Sequence, residues 1–107
     1  MIYLGLYNEI NPGKGYPSMR EFFSAEPYVG QREVVYYLLH GNEDMVSAKI
    51  PVDVFTGKPI RMNQVGMNDG EYSWWNTLAY YVEKYNLRLP QSFVEKAIKT
   101  AKAKHKA

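Results

Sequence analysis

The run DGEYSWWNTLAYYVEKYN, residues 69–86, sets two tryptophans side by side at 74 and 75 and two tyrosines at 80 and 81. Whether these rings build a core or face a partner depends on the local structure that carries them. Asn68, Asp69 and Gly70 form a tight-turn signal, because Asn and Gly tolerate positive φ. Ser73 suits an N-cap and Asn86 a left-handed C-cap, so the spacing predicts a helix between them. At about 100° per residue, Trp74, Leu78, Tyr81 and Tyr85 share one stripe, with Val82 and Trp75 on its flank. Asn76, Glu83 and Tyr80 collect on the opposite side, beside Thr77 and Lys84. The doublets therefore divide. Trp74 and Tyr81 are expected in the core, where a buried large ring contributes roughly 1.5–3 kcal/mol or more. Tyr80 is expected in water and Trp75 at the margin. An exposed Tyr beside an edge-lying Trp has the chemistry of a protein-binding anchor, which makes Trp75, Tyr80 and Lys84 candidate partner-binding residues.

Downstream, LRLP leads into a second helix, with Pro90 in its first turn or a Ser92–Glu95 capping box at its start. Phe93, Val94, Ala97, Ile98 and Ala101 share one side of it. Lys96, Lys99, Lys102 and Lys106 share the other, with Glu95. From Lys96 onward there are five lysines and no acid, whereas residues 1–95 hold eight basic and eleven acidic groups, so the net charge of +2 divides into −3 and +5. A solvated lysine face complements the helix dipole. The same face is also an electrostatic footprint for phosphates or an acidic protein, and Lys96, Lys99 and Lys102 are the candidates for that role. Residues from about 102 to 107 are expected to form a frayed basic tail.

Upstream, IYLGLYNEI (2–10) alternates Ile2, Leu4 and Leu6 against Tyr3, Gly5 and Tyr7, as a strand with one inward face does. NPGKGYP (11–17) is a loop. SMREFFSAE (18–26) opens on a Ser18–Glu21 capping box and predicts a short helix ending near Pro27. EVVYYLL (33–39) is rich in β-branched and aromatic residues and is expected to be a buried strand, although periodicity alone does not separate it from a buried helix. MVSAKIPVDVF (45–55) alternates Val46, Ala48, Ile50, Val52 and Val54 on one face, with Pro51 calling for an edge or a bulge. TGKP (56–59) turns the chain, and IRMNQVGM (60–67) reads as a further strand. The expected fold class is α+β. A small antiparallel sheet of about four to five strands carries a short N-terminal helix and two C-terminal helices, within one domain spanning 1–107.

Hydrophobic residues make up 46% and charged residues 22% of the chain, the composition of a globular protein. With no cysteine, thiolate metal sites, disulfides and cysteine nucleophiles are excluded. The histidines, His40 and His105, fall in no metal-binding spacing, and HGNED (40–44) reads as a polar turn rather than a calcium loop. NPGKG departs from the phosphate-loop pattern, since Asn8 stands where the first glycine belongs and Gly15 where a Ser or Thr belongs; Lys14 and its loop amides remain a weak anion-binding candidate. Neither a nucleophile elbow nor the aromatic signature of an RNA-binding sheet is present. Paired carboxylates could converge only in space, for instance Asp53 with Glu33 or Asp69. No catalytic residue, metal ligand or cofactor is assigned.

The N-terminus matches neither a signal peptide nor a membrane span, and a cytoplasmic location without membrane partners is expected. The functional expectation is a non-enzymatic, inhibitor-type binding protein acting on a protein partner. Small free-standing proteins of this kind are often encoded by phage or mobile elements and directed at a host defence machine. Two alternatives stay open: a nucleic-acid accessory protein using the basic last helix, and a small enzyme whose site assembles only in space. Homodimerisation through a strand edge or the Tyr80 patch is a further expectation.

Overall fold

A computed structural model describes residues 1–105. The fold is α+β, with strands β1 (Ile2–Tyr3), β2 (Asn42–Val46), β3 (Val65–Asn68) and β4 (Tyr72–Trp75) and helices α1 (Gln31–Leu39), α2 (Leu78–Tyr85) and α3 (Gln91–His105). The sheet runs in the order β1-β4-β3-β2. β2, β3 and β4 are antiparallel neighbours, but β1 lies parallel to β4, with Ile2 opposite Tyr72 and Tyr3 opposite Ser73. The sheet is therefore mixed rather than wholly antiparallel.

The quoted stretch divides differently from its helical reading. The NDG signal makes the β3–β4 turn, with Gly70 at φ 90°, and Asp69 Oδ1 accepts from the N–H groups of Glu71 and Tyr72. The chain then stays extended through Trp75. Ser73 lies inside a strand rather than at a cap, and α2 starts only at Leu78. Asn76, expected on the wet side, is buried between the two. Its Oδ1 accepts from Val65 N–H at 2.8 Å and its Nδ2 donates to the Asn63 carbonyl at 2.7 Å. Asn86 does end α2 in the left-handed region, at φ 54°.

Residues 33–39 are a helix, not a strand. Gln31, Val34 and Leu38 are its buried residues, at helical spacing, and tertiary packing outweighs the strand preference of the adjacent valines. Gly30, at φ 90°, turns the chain into the helix where a Cβ would come within 2.6 Å of Ile98 Cδ1. Gln31 then ties α1 to α2, since its Nε2 donates to the Val82 carbonyl and to Asn86 Oδ1, both at 2.9 Å. Residues 45–55 keep only the end of β2. Past the Ser47 N–H bond to the Gln64 carbonyl, the chain leaves the sheet, and Ile50, Val52 and Val54 are exposed. Residues 60–64 likewise precede β3 rather than forming it. The Ser18–Glu21 capping box is present and opens a 3-10 turn at Met19–Phe22.

The alternation of residues 2–7 breaks at Gly5. Its φ of 83°, beyond the end of β1, reverses the parity, so Tyr7 is buried and Leu6 exposed; Ile2, expected to face inward, is exposed as well. α3 runs through residues 102–105, where a frayed tail was expected; Lys106 and Ala107 lie outside the described residues. Ser92 sits within the first turn of α3, paired to the Tyr72 hydroxyl rather than forming a capping box. The core lies between the sheet and the helices. Phe93, fully buried, meets the rings of Tyr37, Tyr72 and Trp74 at 5.3, 5.0 and 5.6 Å. Trp74 Nε1 donates to the Leu38 carbonyl at 2.9 Å, satisfying the end of α1.

Candidate functional site

Only one face of the sheet carries this core. Successive strand residues point to opposite sides, so Tyr72 and Trp74 face the helices while Ser73 and Trp75 face away from them. Cross-strand register aligns Tyr3 with Ser73, and Met45 with Gly66 and Trp75. These residues, with Leu6, Ile10 and Asp44, and with Trp74 and the α2 residues Leu78 and Tyr81, border a cleft of about 510 Å³. Tyr3 is 64% exposed, Met45 60% and Trp75 38%. Gly66 makes the floor. A Cβ there would lie 3.2 Å from Met45 Cγ and 3.6 Å from Trp75 Cζ3, so the missing side chain lets those two close over the strand. The lining is apolar and aromatic with a few polar groups, the usual make-up of a ligand site.

Trp75 thus borders the cleft from a strand rather than from the margin of a helix, and Tyr80 and Lys84 do not share that cleft. Tyr80 is half-buried rather than water-facing and borders a separate depression with Leu39, Ile60 and Arg61. Its hydroxyl donates to Asp53 Oδ2 at 2.7 Å, Tyr85 donates to the same oxygen at 2.6 Å, and Lys84 Nζ lies 3.4 Å away. Asp53 has no exposed surface, and its Oδ1 accepts from the N–H groups of Phe55 and Thr56. Burial alone would raise this carboxyl; the Tyr85 and Tyr80 hydroxyls and the two N–H groups outweigh it and hold it down at about 2. The knot pins the loop after β2 onto α2. Trp75 and Tyr80 therefore do not form one docking patch.

A second polar cluster takes Lys96 out of the basic face. Its Nζ lies 2.9 Å from both Asp69 Oδ2 and Glu71 Oε1, and the Tyr37 hydroxyl donates to Asp69 Oδ2 at 2.6 Å. Burial would raise Asp69, but Tyr37, the Tyr72 N–H, Lys96 and the Glu71 N–H bring it to about 2. Lys99 and Lys102 are exposed and border a depression together with Glu71 and Glu95. Lys14 is exposed between Gly13 and Gly15, both at positive φ.

Asp53 stands apart from the other candidate groups, whereas Glu33, His40 and Asp69 border one smaller cleft. Asp53 and Asp69 sit in separate hydrogen-bond sets with no partner in common. His40, stacked 4.0 Å from the Tyr36 ring with Nδ1 against the Tyr36 carbonyl, borders that smaller cleft of about 190 Å³. The one hydroxyl of Ser or Thr type on that cleft, Thr100, donates to the Lys96 carbonyl. No group of three His, Cys, Asp or Glu residues placed to hold a metal occurs among the described residues. Nor is any helix among them long and apolar enough to cross a membrane.

Tyr3, Met45, Gly66 and Asp44 went unrecognised in the sequence. The signal for them was the alternation Tyr72, Ser73, Trp74, Trp75 after a hairpin turn, read as a strand. Comparison with protein-family models, with curated proteins and with solved structures gives no match.

Proposed function

We propose that this is a cytoplasmic, non-enzymatic binding protein of inhibitor type, which docks a protein partner on the open face of its sheet. One observation carries the reading: an exposed Trp, Tyr and Met stand around an apolar cleft between the sheet and the first turns of α2. Large aromatic rings dominate binding energy at protein interfaces, and Met adapts its shape to a partner. Exposed apolar surface that persists as a patch is costly in water unless something uses it. A phage or mobile-element setting, with a host defence machine as target, belongs to the same proposal.

The nucleic-acid alternative draws its support from Lys99 and Lys102. It is weakened by the loss of Lys96 to Asp69 and Glu71 and by the acids that border the same surface. A catalytic reading would need a proton-transfer group beside an available nucleophile, and His40 shows none.

The test is affinity capture from bacterial lysate with three baits: the wild-type protein, Tyr3→Ala/Met45→Ser/Trp75→Ala, and Lys99→Ala/Lys102→Ala. A partner held by the wild type and the lysine variant but lost by the sheet-face variant supports the proposal. Loss with the lysine variant alone transfers the function to α3.

A further inference from the structure

We infer that the occupant of the sheet-face cleft is an extended peptide segment carrying a basic side chain between apolar ones, with the basic group held by Asp44. This rests on the reading of the open face as a docking site and names what it recognises.

Charge decides the chemistry. Among the described residues, Asp44 is the only carboxylate that borders the cleft, and no Lys, Arg or His borders it. Glu43 precedes it on β2, exposed like the rest of that strand. Asp44 Oδ1 accepts from Asn68 Nδ2, which leaves acceptor capacity, since a carboxylate offers about four lone-pair sites. A guanidinium or ammonium is the natural complement. The rings of Trp75 and Tyr3 add faces on which a cation, or the aliphatic stem of Arg or Lys, can lie. Phosphate groups would meet Asp44 and Glu43 with no compensating cation in the cleft, so the aromatic surface is not a nucleic-acid platform. The exposed lysines of α3 border a different depression that shares no residue with this one.

Geometry decides the form. The cleft runs out to Asp44 and Met45 of β2, which is the terminal strand of the sheet. An extended segment lying there reaches the unpaired outer edge of β2 while its side chains enter the cleft, the usual mode of strand addition. A second copy of this chain is disfavoured in the same place. Pairing two β2 edges about a two-fold axis would bring Glu43 and Asp44 against their own copies, and like charges across a strand pair are destabilising. The bulge between Glu43 and Met45 also blunts self-pairing.

The experiment selects peptides from a displayed library of random ten-residue sequences against the wild-type protein. A selected peptide is then titrated into protein labelled with 5-fluorotryptophan. The exposed Trp75 resonance should shift while that of buried Trp74 changes less. Selected peptides should be enriched in Arg or Lys flanked by apolar residues. Asp44→Asn should weaken them roughly tenfold and flatten their salt dependence. Gly66→Ala, which adds one methyl to the floor against flexible Met45, should weaken them with the melting temperature little changed. Peptides lost on Trp75→Ala but without basic enrichment would overturn the cationic occupant and leave the docking face standing. Peptides indifferent to Trp75→Ala, or no selected peptide at all, would overturn both. A concentration-dependent dimer that perturbs Trp75 alone would replace the peptide with a second copy.

Discussion

Trp74 and Trp75 are neighbours in the chain and share a strand, yet one is 3% and the other 38% exposed. Trp74 touches Tyr37 and Phe93 and donates to the Leu38 carbonyl in the last turn of α1. Trp75 lies over Gly66 beside Met45, at the border of the cleft. The covered face is dense with ring-edge contacts and satisfied polar groups, whereas the open face keeps its rings in water around a cleft. The pleat of four residues separates the part of the molecule that makes it fold from the part available to a partner.

The largest expected effect separates the two tryptophans directly. Trp74→Ala should cost about 3–5 kcal/mol in urea unfolding, the range for emptying a packed aromatic site. Trp75→Ala should cost about 1 kcal/mol or less. Equal losses would erase the distinction between the faces. Next comes the polar anchoring of the helical side. Asp53→Asn should lose roughly 1.5–3 kcal/mol, since hydrogen bonds to a buried charge are among the stronger ones.

The pH dependence follows from the same carboxylates. Asp53 and Asp69 both stand at about 2 in the folded protein against 3.8 ordinarily. A depressed folded value means the stabilisation is whole above the unfolded value and drains as pH falls from about 4 through 2. Thermal melts from pH 7 to pH 2 should show the loss in that window, and Asp53→Asn should make it shallower. An unchanged slope would remove Asp53 from the balance. The smallest effect belongs to Lys96→Ala, about 0.5–1 kcal/mol and reduced by salt, because the lysine is partly exposed.

The sequence made the fold class legible, along with the NDG turn, the Ser18–Glu21 box, the Asn86 cap and the apolar side of α3. It misplaced 72–76 because Trp74, Leu78 and Tyr81 fall at helical spacing even though a strand carries the first of them. Either reading buries Trp74, so burial could not expose the error. Residues 33–39 hid a helix because β-branched preference is weak beside packing against α2 and α3. In 45–55 the alternation was real, but past Ser47 no strand was there to pair with it. The Asp53 knot joins residues distant in sequence, and no local pattern marks that. Of the candidate partner residues, Trp75 reached the cleft, Tyr80 and Lys84 went to the knot, and Lys96 to an ion-pair cluster.

The parallel pairing of β1 with β4 fixes when the cleft is completed. Ile2 and Tyr3 lie far ahead in sequence of the strand they join, which is completed only at Trp75. Closing so long a loop costs more entropy than forming the β3–β4 hairpin. Tyr3, Leu6 and Ile10 therefore gain their places around the cleft after most of the chain exists. A chain ending before β4 would leave Tyr3 without the strand that sets it beside Trp75, so the cleft exists only once both ends of that long loop have met.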